Sequence, residues 1–512
     1  MRANQLSAIP YLAAIFVGLY FFEMASFPLS IDEELAIARG GADASVWVGQ
    51  GRWGAYLIEA FVLPRPIIPF VPPALFGVGA IVAYLMLLDA ARGDTKPLRP
   101  IDYLLFALFA GYPTWYFLVE FYANLGSVGI GLACAGAAVW LSFGDWGPRR
   151  TAVAVMSAAF LGACSIAIYQ NFLLTIVGMG GAAFAIRLLD SNLIRPWRTA
   201  AMFAGVVVLS LLLYKVGDFS FRLIYPTVNP HFESMIRFDR LLADPGLVLA
   251  LTAEAAVEAY GVTERTFAGA MWSVPVVIAL GLASCVMFRG RLDLLTRLLC
   301  LLVAIAVLLV PFATHFVGGG MLPARTLVAV PIAIWFLAYV GTGAGNPLLR
   351  TASAIACAVC LFQTLVVHNT YQAASFFSTR QDFALATVLN ERIASLPGFD
   401  RKKTYALSIF GLRESTSVYA LPRSSTIGRS FFEWDGGNPG RISHYMRAVG
   451  FPYYPGAGPA RQDTVIREYM DMPVFPAAGS VAIKDAIILV KLSAEPNNRD
   501  IQSMRRVGIA LP

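Results

Sequence analysis

Runs of about 20 apolar residues, the length an α-helix needs to cross a bilayer, recur along the first 370 positions of this 512-residue chain. They lie at 8–27, 66–88, 101–118, 124–142, 151–167, 172–188, 199–216, 270–288, 298–314, 326–342 and 352–369, eleven in all. Two long polar stretches interrupt them, 28–65 and 217–269. In the first, Ile31, Leu35 and Ile37 on one side, and later Val46, Trp47, Trp53, Tyr56, Leu57 and Phe61, predict amphipathic helices lying on a membrane surface. In the second, the periodicity predicts a helix from Asp244 to Tyr260, and Tyr225-Pro226-Thr227-Val228-Asn229-Pro230 reads as a turn. After position 372 the pattern changes to a helix over 379–396, strand-like runs at 404–410 and 486–492, and a helix near 440–449.

The expected architecture is a polytopic α-helical membrane protein of about eleven transmembrane helices, residues 1–372, followed by a small extracytoplasmic α/β domain, 373–512. Composition supports the division. The chain is 57% hydrophobic and 14% charged, with a net charge of +7. About 29 of its 71 charged side chains fall in the last 143 residues, where the charge density is that of a soluble domain. The basic excess sits in short connections carrying Arg92, Lys96, Arg99, Arg149, Arg150, Arg187, Arg195, Arg198, Arg289, Arg291, Arg297 and Arg350, and the alternate connections near 119–123 and 168–171 carry none. This asymmetry orients a membrane chain rather than binding nucleic acid, and places the N-terminus in the cytoplasm and the tail outside. The first apolar run has no small-residue cleavage site ahead of Ser30 and reads as a retained helix. All six cysteines lie in apolar segments, so neither a disulfide framework nor a thiolate metal site is expected, and Cys357 and Cys360 read as packing residues.

The sharpest polar feature is Asp32-Glu33-Glu34, three carboxylates directly after the first span on the outer side. Ser30 followed three residues later by Glu33 is also a capping-box pattern, so a helix start and a general base are compatible readings. Glu120 borders a span, where an ionisable group is costly and functional by default. Tyr169-Gln170-Asn171 holds the matching position in the next hairpin. Arg52 and Arg325 are cations on the same outer side, the latter in a short loop with His315 and Gly318-Gly319-Gly320. A guanidinium offers a planar fork of donors suited to phosphate oxygens. Carboxylates and phosphate-binding cations at membrane level suit a lipid phosphate whose chain stays in the bilayer.

At Asp32-Glu33, Gly51-Arg52-Trp53, Phe117-Leu118-Val119-Glu120, Ile168-Tyr169-Gln170 and Pro323-Ala324-Arg325, taken in order, the sequence resembles the bacterial serotype-converting O-antigen glucosyltransferases (Gtr), a branch of the GT-C membrane glycosyltransferases. Where that pattern has a second acid after Glu120, this chain has Asn124, Gly126 and Ser127. The resemblance implies a polyprenyl-phosphate-linked sugar donor, usually glucose, and inverting transfer at the periplasmic face of the inner membrane to a lipid-linked or surface polysaccharide such as O-antigen. It implies Asp32 or Glu33 as catalytic base, Arg52 and Arg325 on the departing phosphate, and Glu120, Tyr169 and Gln170 on sugar hydroxyls, with His315 beside them. Asp32 and Glu33 could hold a divalent ion such as Mg or Mn, though no His is close to them in sequence. The competing readings are a transporter or flippase for a lipid-linked saccharide, which predicts internal symmetry that the chain lacks, and a GT-C enzyme acting on lipid A or protein.

Overall fold

The computed structural model describes all residues except 1–2, 40–41, 64–68, 94–96, 191–192, 194, 228, 230–232, 268, 270, 288–292, 321, 420, 422–424 and 511–512. Lys96, Arg289 and Arg291 of the basic loops, and Val228 and Pro230 of the expected turn, lie outside the described residues. Among the described residues, eight helices are long and apolar enough to cross a membrane: Ile9–Ser26, Val71–Arg92, Tyr122–Phe143, Arg149–Ile168, Phe172–Leu189, Pro196–Ile224, Leu294–Val317 and Pro347–Ala394. The chain is thus a polytopic helical protein, with three of the eleven expected spans shorter than predicted. The run at 101–118 is helical over Pro100–Gly111 and then breaks into a 3₁₀ turn, Pro113–Trp115, and a single turn, Tyr116–Val119. Pro113 causes the break: it has no N–H to donate and pushes Tyr112 out of the helical region to ψ 133°. The other two are Ser273–Met287 and Val330–Thr342, 15 and 13 residues long.

Two compact units divide the chain, and each is described by itself. The first comprises Met1–Phe27, Gly41–Asn369 and Leu421–Ser425. Its helices meet through small residues. A Cβ on Gly79 would overlap the Gly129 carbonyl, and one on Gly129 would overlap the backbone at Leu75 and Phe76, so Val71–Arg92 and Tyr122–Phe143 lie backbone against backbone. Such close approach replaces the hydrophobic drive that two helices lack when lipid surrounds them. Large apolar side chains point outward instead, including Val208, Leu212, Phe219 and Leu223 of Pro196–Ile224 and Leu298, Leu302 and Leu309 of the segment Leu294–Val317.

The second unit comprises Pro28–Gly40, Thr370–Ala420 and Thr426–Pro512. Its sheet has the order β1-β3-β2, from β1 (Ala406–Phe410), β2 (Val481–Lys484) and β3 (Ile487–Lys491). β1 runs parallel to β3, and β2 pairs antiparallel with β3 across a two-residue turn. All five residues of β1 and of β3 are buried, and Leu407, Ile409, Ile488 and Val490 pack with Leu389 and Ile393 of Pro347–Ala394. The expected helix at 379–396 is therefore the end of this 48-residue helix, not a separate element. Ile31, expected on a membrane-facing helix, is instead fully buried in the same core.

Candidate active site

In the first unit, four of the expected site residues, Arg52, Tyr169, Gln170 and Arg325, are joined through Tyr169. Tyr169 leaves the helix Pro148–Ile168 with extended backbone, and its hydroxyl donates to the Arg325 carbonyl oxygen at 2.9 Å. Two residues on, Asn171 Nδ2 donates to the Thr326 carbonyl at 3.1 Å, so the hairpin end is tied to the Arg325 loop at two successive residues. The Arg52 guanidinium lies over the Tyr169 ring, 4.7 Å from its centroid, and Arg52 Nε donates to Gln170 Oε1 at 3.3 Å. Gln170 Nε2 in turn donates to the Gln50 carbonyl. Arg325 lies over Phe121, 5.4 Å from its centroid, and His315 Nε2 is 3.5 Å from Thr326 Oγ1.

Gly51 makes the Arg52 placement achievable. It sits at φ +74°, and a Cβ there would come within 2.8 Å of the Tyr214 hydroxyl, which donates to the Gly51 carbonyl at 3.1 Å. Burial pulls the Arg52 pKa below its ordinary value, and the Arg325 charge adds to the depression. Among the described residues neither guanidinium has a carboxylate within 4 Å. Two half-buried cations that repel each other are a standing demand for an anion.

Glu120 precedes the ring that carries Arg325, is 7% exposed, and accepts from Ser425 Oγ at 3.0 Å. It belongs to the same unit, as a buried acceptor with a partner in the segment Leu421–Ser425. Asn124, standing where a further acid was expected, bonds to Ser127 Oγ at 2.9 Å.

The three carboxylates belong to the second unit. Asp32 is at φ +82°, a left-handed conformation that costs free energy in a non-glycine residue. It is the N-cap of Glu33–Ala38 without a side-chain capping bond, which corrects the Ser30 capping box: Ser30 contributes its carbonyl to Glu33 N at 3.2 Å. One guanidinium gathers the cluster. Arg441 reaches Asp32 Oδ1 at 2.8 Å and Glu34 Oε1 at 2.7 Å, and also binds Asp435. Glu33 and Glu34 are buried, whereas the Asp32 side chain is 53% exposed. Arg441 has no local signal, being 407 positions from Glu34; the clue was the need of three adjacent acids for a cation. This guanidinium occupies the place a divalent ion would take, and among the described residues no three His, Cys, Asp or Glu form a metal-binding group. With Arg441 holding Asp32 and Glu34, the residues do not fit Mg or Mn.

Burial raises the Glu34 pKa from its ordinary 4.5 to about 7, outweighing the pull of Arg441. Between those values the folded protein holds a proton that the unfolded chain has released, so stability is full below about 4.5 and falls as pH rises through about 7. Glu34→Gln should remove this contribution. Melting temperatures of the purified protein at pH 5 and pH 8 should differ less for the variant than for the parent, the remaining difference coming from Asp382 and Asp500, which burial raises to about 7 and about 6.

A family model described as Glucosyl transferase GtrII matches residues 21–341, 321 of the 512 residues. The chain belongs to the GtrII glucosyl transferase family. No curated protein and no solved structure matches it. The match covers Asp32, Glu33, Arg52, Glu120, Tyr169, Gln170, His315 and Arg325, and ends before most of the second unit. Membership makes the protein a glycosyltransferase and sets aside the transporter reading.

Proposed function

We propose that the protein moves glucose from a polyprenyl-phosphate donor to a lipid-linked or surface polysaccharide such as O-antigen, at the periplasmic face of the bacterial inner membrane. The carrying observation is the pair of half-buried guanidiniums, Arg52 and Arg325, without a carboxylate partner among the described residues and tied to one another through Tyr169. A phosphate ester released as the glycosidic bond breaks gains negative charge in the transition state, and fixed guanidinium donors are worth most where that charge develops. The surrounding apolar helices suit a donor whose prenyl chain remains in lipid.

Asp32 serves as the base. Its exposed carboxylate takes the proton from the acceptor hydroxyl while that oxygen attacks the anomeric carbon, and the bond to the phosphate oxygen breaks as the new bond forms. A single displacement inverts the anomeric centre. Glu33 is the second candidate for this role, while Gln170 and Glu120 bind sugar hydroxyls.

Purified protein in proteoliposomes should transfer labelled glucose from polyprenyl-phosphate glucose to lipid-linked glycan. Transfer from a nucleotide sugar with no lipid donor present would overturn the reading. Orientation has its own test. Protease added to intact spheroplasts should remove the chain beyond about residue 375, because Arg2 and the twelve Lys and Arg of the basic connections flank the expected cytoplasmic ends and the short outer loops hold one, Arg325. Protection of that region would place it on the cytoplasmic side.

A further inference from the structure

The second unit contains a cavity of about 280 Å³ that the residues discussed so far do not line. It lies where the ten-residue helix Pro439–Ala448 begins, and Arg499, His444, Gln462, Gln502 and Arg506 are on its wall. Arg506 is neutralised by Asp463, with both bonds at 2.8 Å. Arg499 is not: its Nη2 donates to the Gly436 carbonyl at 2.9 Å, its buried Nε has no partner, and among the described residues no carboxylate lies within 4 Å. Burial penalises that charge. His444 also has a buried Nδ1 without a partner.

The neighbouring acid is already committed. Asp500 accepts from Gly411 N at 2.7 Å, Asn497 N at 3.0 Å and Gln462 Nε2 at 2.7 Å. The last bond turns the buried Gln462 so that its Oε1 is left to accept, and Gln502 adds an amide at the rim. Asp500 and Asp435 offset part of the Arg499 charge from a distance, and Asn438 already accepts from Gly440 N at the helix start; the cavity therefore offers a cation with no direct carboxylate partner among the described residues and amide groups matched to hydroxyls. Its volume is just below the usual range of about 300–1,000 Å³ for small-molecule sites, which fits one ring rather than an extended chain.

We propose that this cavity binds a single sugar residue bearing a carboxylate or phosphate, with the anion on Arg499 and hydroxyls on Gln462 and Gln502. The assignment rests on the glycosyltransferase reading and deepens it: the acceptor glycan carries an acidic sugar.

Saturation-transfer NMR on the full-length protein in detergent, without donor lipid, tests it with four probes: methyl glucuronide, glucose 6-phosphate, methyl glucoside and inorganic phosphate. The expected result is transfer to at least one acidic sugar and little to the glucoside, with the better acidic probe separating carboxylate from phosphate. Arg499→Gln should reduce that signal at least fivefold, Arg499→Lys should restore part of it, and Gln502→Ala should weaken it without loss of melting temperature. Equal signals from glucoside and acidic sugars, or full competition by inorganic phosphate at the sugar's own concentration, would overturn it. So would a protein that transfers glucose normally yet binds neither acidic sugar, and the transferase reading would then stand without the cavity.

Discussion

Asp32→Asn is expected to lower glucose transfer by roughly 100- to 10,000-fold, the usual cost of losing a general base, with the protein still folded. Of the three adjacent carboxylates only Asp32 is open to an acceptor hydroxyl, since Glu33 and Glu34 are buried. Its left-handed backbone, φ +82°, is a conformation that asparagine also tolerates, so the substitution keeps the local geometry. Arg441 would retain Glu34 and Asp435 as partners, which holds the cluster together when one charge is removed. Turnover of the variant, measured with a matched melting curve, separates chemistry from folding. Near-parental turnover would remove Asp32 from the mechanism and move the test to Glu33→Gln. A loss of melting temperature in step with activity would instead make Asp32 a structural partner of Arg441.

The apolar runs were legible because a helix in lipid must be apolar along its whole length, and every one of the eleven contains a helix. Their lengths were less so. Pro113 lies within an apolar run, so hydropathy hides a break that the backbone cannot avoid. In the tail, β1 and β3 announced themselves as short apolar runs, whereas β2 did not. Its hairpin turns at Asp485 and Ala486, both with positive φ, in place of the Asn-Gly pair that normally marks such a turn. The individual site residues were also legible, because Arg52, Tyr169, Gln170 and Arg325 are polar groups at the ends of apolar spans. What joins them was not, since Tyr169 reaches a backbone carbonyl at position 325 and main-chain acceptors leave no mark in sequence. The segment 28–40 failed for a related reason. Its alternating apolar residues suit a membrane surface and a protein core equally, and Ile31 went to the core.

Replacing Arg325 by Ala is expected to reduce kcat by roughly 100- to 1,000-fold, the range seen when one fixed donor to a developing oxyanion is removed. The Tyr169 hydroxyl binds the carbonyl of residue 325, not its side chain, so the loop should keep its place in the variant. Arg325→Lys retains the charge but loses the planar fork, and should fall between parent and Ala. Arg52 predicts a different pattern. Its side chain is stacked on Tyr169 and bonded to Gln170, so Arg52→Lys should forfeit both contacts and approach Arg52→Ala. A donor with a truncated prenyl chain allows KM and kcat to be read separately for each variant. Loss confined to KM would mean that the guanidinium holds the phosphate equally in ground and transition states; loss in kcat would mean that it acts as the phosphate departs. If Arg325→Ala turns over this donor like the parent, Arg325 only anchors its loop over Phe121, and Arg52 becomes the remaining cation for the leaving phosphate.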